Sequence, residues 1–313
     1  DLVKDADFLI ENFRPGTMER WGLGWEDLKE INPGLVMIRV TGFGQTGPYS
    51  SRAGYGAIGE AMGGLRYVVG DPDSAPARTG ISIGDSLAAT FGALGGLAAL
   101  AHKNETGQGQ VVDSAIYEAV LNMMESLVTE FDVTGYIRER TGAILPNVSP
   151  SNVFPTSDEQ LVLIAANQDT VFTRLAAAMG RPELAENERY STHGARGAHQ
   201  QELDDLIAEW TKTITAAELE SILEEHGVPY GGIYRAPEIM ADPHIEDRNA
   251  LVQVEHPEFG PITMQNVAPK FSETPGSVDW VGPELGAHNE EIFQELLGID
   301  DAGLAGMADR GII

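Results

Sequence analysis

Along the first 120 residues, short apolar runs of strand length alternate with stretches of helical periodicity. Residues 7–11 (DFLIE) and 35–40 (LVMIRV) read as strands, and the second has so few polar positions that it suits a sheet covered on both faces. Between them, ENFRPG turns the chain, and Pro15 is placed to open a short helix through Glu19 and Arg20. Residues 25–31 read as another short helix, closed by Asn32, Pro33 and Gly34. The stretch around which the chain is organised is residues 80–110, an extended segment, a turn at Gly84, and a helix whose first residue or cap is Asp85. Leu87, Phe91, Leu94, Leu97 and Leu100 recur there at helical spacing, while Gly92, Gly95, Gly96 and several alanines narrow the other surfaces. The pattern predicts a buried helix whose N-terminus offers free N–H groups and a partial positive charge. GQGQVVDSA then reads as a strand, and residues 116–131 as one long apolar helix with Met123 and Met124 as core filler.

Residues 132–150 are punctuated by Gly and Pro and read as a linker. Beyond it come a hairpin over 153–166, helices over 169–179, 197–211 and 215–226 (with Thr215 as cap), and a strand in VPYGGIY. A helix before Asp242-Pro243, two strands (LVQVEH and PITMQN) and a final helix over 289–297 complete the chain. The expected fold class is α/β: an open, mostly parallel, Rossmann-like sheet flanked by helices, plus a smaller α+β domain joined by two long linkers. The expected division is 1–120 for the large domain, 121–149 for a helix and linker, and 150–247 for the small domain. Residues 248–313 form a return linker and a C-terminal helix packing on the large domain.

Charge narrows the choice of ligands. The 48 acidic residues outnumber the 20 basic ones, giving a formal charge of −28, which argues against nucleic acid or anionic lipid as a partner. Any anionic ligand must then be met by locally placed Arg and backbone N–H groups. With no cysteine, disulfides, thiolate metal sites and a cysteine nucleophile are excluded, and cytoplasm is the expected location. No apolar run stands out as a membrane span. The seven histidines are scattered, so no metal site is expected, and the serine-hydrolase elbow and the P-loop are missing.

Two features remain as candidate chemistry. Gly42, Gly44 and Gly47 follow a strand in the order GxGxxG, but Pro48 and a polar loop come next where a dinucleotide fingerprint needs a helix. The alternative is an irregular loop lining a crevice at the carboxyl ends of parallel strands. The second is Asp85, which is either a plain helix cap or a carboxylate left free to act as a nucleophile. Spacing alone leaves both open.

The blocks ENFRPGTMERWGLGWEDLKEINPGLVMIRVTGFGQTGPYSSRAGYG, GISIGD, TGQGQVVDSAIYEAVL, HGVPYGGIYRAPEIMADP and LGAHNEEI resemble, in order and spacing, the family III CoA-transferases of the CaiB/BaiF type. Family chains extend well upstream, so the sequence resembles a member lacking the first part. The resemblance implies that Asp85 is the catalytic nucleophile, carrying acyl and then CoA groups between a donor acyl-CoA and an acceptor carboxylic acid. It implies CoA contacts at Asn12, Phe13, Arg14, Arg20, Ala53, Gly54 and Tyr55, with CoA as substrate, no tightly bound cofactor and no metal. Gly56 departs from the Asp or Glu that many members carry after that Tyr, and NVSPSNVFPTSDE stands where formyl-CoA transferases have a glycine-rich flap. The match is closer to members acting on dicarboxylic acids such as succinate. Two alternatives are an α-methylacyl-CoA racemase, which needs His where this chain has Tyr55, and an inactive truncated remnant. The implied assembly is a homodimer with interlocked subunits.

Overall fold

A computed structural model describes residues 1–313. The apolar runs form β1 (Phe8–Glu11), β2 (Val36–Thr41) and β3 (Val111–Ala115), a parallel sheet in the order β1-β2-β3. The register sets Glu11 beside Arg39 and Arg39 beside Asp113, a row of charged residues across the carboxyl ends of the strands. All but one residue of β2 is buried, as a strand covered on both faces should be. The α/β class expected from the alternating pattern is the one observed.

The helix Ile83–Thr106 lies along this sheet, and its packing differs from the expectation in one respect. The buried stripe is Gly84, Ala88, Gly92, Gly96 and Ala99, whereas Leu94 and Leu97 are 61% and 64% exposed. The small residues bring the helix backbone down onto the sheet: a Cβ on Gly96 would lie 2.7 Å from Ile38 Cδ1, and one on Gly95 the same distance from Val112 Cγ1. The bulk at this interface therefore comes from the strands. Ser114 Oγ donates to the Ala88 carbonyl at 2.9 Å and fixes the helix along β3. By length and composition this helix could cross a bilayer, contrary to the expectation, but here it is a helix packed along a sheet.

Two expected helices are divided. Residues 116–131 form Ile116–Asn122 and Leu127–Thr134, separated where Glu125 takes φ 52°, a left-handed conformation no helix interior holds. Met124 is buried there, while Met123 is 55% exposed and fills no core. The helix expected from residue 197 begins at Gln200, after the separate turn His193–Ala198.

A second sheet, β4 (Ser151–Pro155), β5 (Leu161–Ala165) and β6 (Tyr230–Gly232), is antiparallel in that order. Sixteen buried residues, among them Phe154, Ile164, Phe172, Leu203 and Leu219, join it to the helices Asp169–Ala178, Gln200–Thr211 and Ala216–Glu225. Thr215 and Glu218 form the capping box of the last of these. Arg196 has no exposed surface and donates to the carbonyls of Ser149, Tyr190 and Asn167 and to Asp169 Oδ1, tying the end of the preceding linker to this core. β7 (Leu251–His256) and β8 (Gly260–Gln265) form a separate hairpin. The terminal helices Glu290–Leu296 and Asp301–Asp309 bury no residue, and the second of them lies beyond the last element expected from periodicity.

Candidate active site

Strands of a parallel sheet deliver their last residues and the following loops to one edge, where α/β folds bind ligands. Here that edge opens into a cleft of about 590 Å³, lined by Glu11, Thr41 and Gly42 together with Asp85, Ala89 and Ile116. Gly54, Tyr55 and Asn12 line it as well.

The loop that carries Asn12 is held from both ends by one cation. Arg39, rising from β2, donates through Nε to Glu11 Oε1 at 2.6 Å and through Nη1 to Glu19 Oε1 at 2.7 Å. Glu11 is the end of β1 and Glu19 lies in the helix Thr17–Arg20, so the two carboxylates bracket residues 12–16. The second oxygen of Glu11 accepts from the Phe13 N–H at 2.7 Å. The side chains of Arg39 and Glu11 are 7% and 1% exposed, which makes this a buried pair, while Glu19 is half exposed. The hydrogen bond from Arg39, opposed by partial burial, leaves the Glu19 carboxyl below its ordinary range. This clamp was not read from the sequence. Its signal was the Arg inside an otherwise apolar strand, one parallel register away from a Glu.

The glycine-rich loop after β2 is pinned next. Thr41 Oγ1 accepts from Gly44 N at 3.0 Å, and Asp113 Oδ2 from Gln45 N at 2.8 Å. Burial raises the Asp113 carboxyl, which the Gln45 N–H only partly offsets. The loop returns so that Gly42 and Gly54 touch through their backbones; a Cβ on Gly42 would lie 2.7 Å from Gly54 Cα. The helix that follows is Gly56–Met62, and nothing helical stands at Gly47, so the GxGxxG order here is an irregular loop.

Asp85 is the third residue of its helix, behind the N-cap Ser82, and so is not the cap. The first-turn bonds run from Ser86 N and Oγ to the Ser82 carbonyl, and none reaches the Asp85 carboxylate. The residue is exposed, where the expected buried helix start would have covered it in part. Its side chain rests against Gly56: a Cβ there would overlap Asp85 Oδ2 and lie 2.6 Å from Cγ. What stands in the cleft is a carboxylate without hydrogen-bond partners in the first turn of a long helix, whose dipole favours its charge.

Of the positions expected to contact CoA, Asn12, Gly54 and Tyr55 line the cleft with Asp85, and Phe13, Arg14, Arg20 and Ala53 do not. Phe13 packs edge-on against Trp21 at 5.0 Å, Arg20 Nη2 donates to Thr17 Oγ1 at 2.8 Å, and Arg14 and Ala53 are exposed. No group of three His, Asp or Glu side chains stands together as a metal-ligand set.

A sequence profile described as CoA-transferase family III matches residues 1–289. The chain belongs to the family III CoA-transferases. It is 59% identical over 312 residues to the succinyl-CoA–D-citramalate CoA-transferase of Chloroflexus aurantiacus, spanning all of this chain and 78% of that one. It is 39% identical to the succinyl-CoA–L-malate CoA-transferase beta subunit of the same organism, again over all of this chain and 78% of the other. Among solved structures, a CaiB/BaiF family protein from Brucella suis superposes with a TM-score of 0.81 at 32% identity, covering 94% of this chain and 76% of that one. In this family III CoA-transferase the ends of the parallel sheet, the glycine loop and Asp85 stand around one cleft.

Proposed function

We infer that this enzyme moves CoA from succinyl-CoA to a four- or five-carbon dicarboxylate of the malate or citramalate type, with Asp85 as the nucleophile. The observation that carries this reading is the Asp85 carboxylate, left without hydrogen bonds in an open cleft. The names of the two Chloroflexus relatives support the substrate class.

The sequence of steps balances without a metal ion or an external base. An Asp85 oxygen attacks the succinyl thioester carbon, the C–S bond breaks, and its electron pair leaves on the CoA sulfur, giving a mixed anhydride. The thiolate then attacks the Asp85 carbonyl carbon; the C–O bond to the succinyl group breaks, succinate leaves, and Asp85 holds CoA as a thioester. The acceptor carboxylate attacks that thioester and expels the thiolate, which finally takes the acyl group of the acceptor and restores the Asp85 carboxylate. Every tetrahedral intermediate is anionic, so preorganised N–H donors contribute on the order of 3 kcal/mol each where they point at the oxyanion. A carboxylate that spends no lone pair on hydrogen bonds is the better nucleophile for the first step.

Asn12, Gly54 and Tyr55 in the cleft are assigned to CoA, together with Phe13, Arg14, Arg20 and Ala53, which lie outside its lining. In a chain of net charge −28, Arg14 and Arg20 supply the local cations its phosphates need. Tyr55 stands where racemase chemistry would require a His, which removes that alternative's acid/base group. The exposed Leu94 and Leu97 and the apolar Val128, Phe131 and Val133 support a homodimer, with the interlocked arrangement as its form. The division at residues 120, 150 and 247 is kept as the domain reading. Acyl-CoA substrates and a chain without cysteine support a cytoplasmic site of action.

The test is covalent. Incubation with succinyl-CoA followed by hydroxylamine or borohydride should leave a mass-shifted peptide containing Asp85, and Asp85→Ala should lose the adduct and at least about 10³-fold in kcat. An Asp85→Ala enzyme that exchanges CoA at the parent rate refutes the assignment.

A further inference from the structure

Free cations are scarce in this chain. Ten of its 20 basic side chains are paired with carboxylates, Arg39 and Arg66 among them, so few are left to meet a polyanion such as CoA. Arg52 is exposed and takes part in no ion pair or side-chain hydrogen bond. Its place is nevertheless set by the loop that carries it. Gly47 takes φ 85°, and bonds from Ser50 N to the Gly47 carbonyl at 3.3 Å and from Arg52 N to the Tyr49 carbonyl at 2.9 Å fold residues 47–52 into successive turns. The Arg52 guanidinium then lies 3.6 Å from the centre of the Tyr49 ring. Tyr49 meets Phe43 edge to face, with ring centres 6.0 Å apart, and Phe43 reaches Gly54: a Cβ built there would be 3.4 Å from Phe43 Cε2. The stack that holds Arg52 is thereby tied to a residue that lines the cleft.

We propose that Arg52 is a phosphate-binding residue for CoA, held ready by Tyr49. The inference rests on the reading of the cleft as a CoA-transferase site. Stacking covers one face of the guanidinium and leaves its edge free, where all five N–H donors lie, and that edge matches two oxygens of a phosphate. An exposed Arg loses side-chain freedom when it binds an anion, and one already stacked loses less. The distances suit the ligand. The phosphates of CoA lie a whole pantetheine arm away from the thioester, so a cation for them belongs beside the lining and not within it. The lining has no Lys or Arg, and Arg52 stands two residues before Gly54, at most about 7 Å along the chain.

Calorimetric titration with CoA, dephospho-CoA and pantetheine reads the contact without turnover. Arg52→Gln keeps much of the side chain's length and removes its charge, so the Kd for CoA should rise about tenfold, while that for pantetheine, which has no phosphate, stays within about twofold. Dephospho-CoA tells which phosphate is held. An equal loss with it puts Arg52 on the pyrophosphate, and no loss with it puts Arg52 on the 3′-phosphate. Tyr49→Leu keeps the cation but removes its support, so the Kd for CoA should rise about threefold. An Arg52→Gln protein that binds CoA within about twofold of the parent, or that loses pantetheine as much as CoA, overturns the phosphate contact. A Tyr49→Leu protein with parental CoA affinity overturns the support by stacking. A parent protein that binds no CoA overturns instead the transferase reading on which the inference rests.

Discussion

Replacing Arg39 by Met takes one cation from between two carboxylates and leaves each in a different condition. Glu19 is 46% exposed at its side chain and returns to water, so its half of the clamp is a surface pair, contributing about 0–1 kcal/mol. Glu11 is 1% exposed and cannot reach water without moving β1, so Arg39→Met leaves a buried carboxylate with only the Phe13 N–H as partner. Removing one partner of such a pair costs about 3–5 kcal/mol, and the Glu11 side dominates the sum. Urea unfolding at neutral pH should show a loss of that size in Arg39→Met, and the double variant Glu11→Gln/Arg39→Met should recover most of it, because no charge is then left buried. The loop bearing Asn12 and Phe13 loses its anchor at the same time, so KM for succinyl-CoA should rise in both variants, and in the double variant it should rise without the stability loss. A single variant within 1 kcal/mol of the parent, with unchanged KM, would show that the clamp neither holds the strand nor positions the loop.

Two further predictions concern regions away from the cleft. Asp204 is 5% exposed, accepts one bond from Asn152 Nδ2 at 2.9 Å and leaves Oδ1 without a partner; burial raises its carboxyl above the ordinary range. A raised carboxyl disfavours the ionised native state, so its penalty is full above the folded-state midpoint and fades as pH falls through it. Asp204→Asn should therefore raise Tm at pH 8 and lose that advantage toward pH 4; a variant destabilised at both values would contradict the sign. The exposed Leu94 and Leu97 predict self-association, so light scattering on the eluted protein should give twice the 33.6 kDa chain mass, and Leu94→Glu/Leu97→Glu should return it to one chain. A parent at one chain mass removes the dimer.

Much of the layout was legible because burial follows period. The runs at 7–11 and 35–40 read as strands and Thr215 as a helix cap, and the structure has strands and a cap there, the cap completed by Glu218. The central helix was expected to be buried as a whole, and only its stripe of small residues is. Its leucines recur at helical spacing, but so do Gly84, Ala88, Gly92 and Gly96, and a pattern of side-chain size does not say which stripe meets a sheet whose own residues are large. The division at Glu125 depends on a single left-handed residue that carries no composition signal. Within the site, Asp85 and Gly54-Tyr55 stood out through ordered blocks of sequence, whereas Arg39 was hidden in an apolar run and shows its role only once β1 is set beside β2.

What the cleft adds to the sequence is that its decisive contacts are made where side chains are missing. Gly42 against Gly54 brings the glycine loop back to the sheet edge, Gly84 against the Gly56 carbonyl brings two helix starts together, and Gly56 against Asp85 leaves the carboxylate somewhere to rest. Each is a van der Waals contact, so none neutralises or hydrogen-bonds the Asp85 carboxylate. Polar fixation is kept one step away: Arg39 holds the loop that lines the cleft, Asp113 holds Gln45, and Ser114 holds the central helix. Removal of the polar anchors should therefore act first on affinity and stability, because they hold the lining in place without touching the carboxylate.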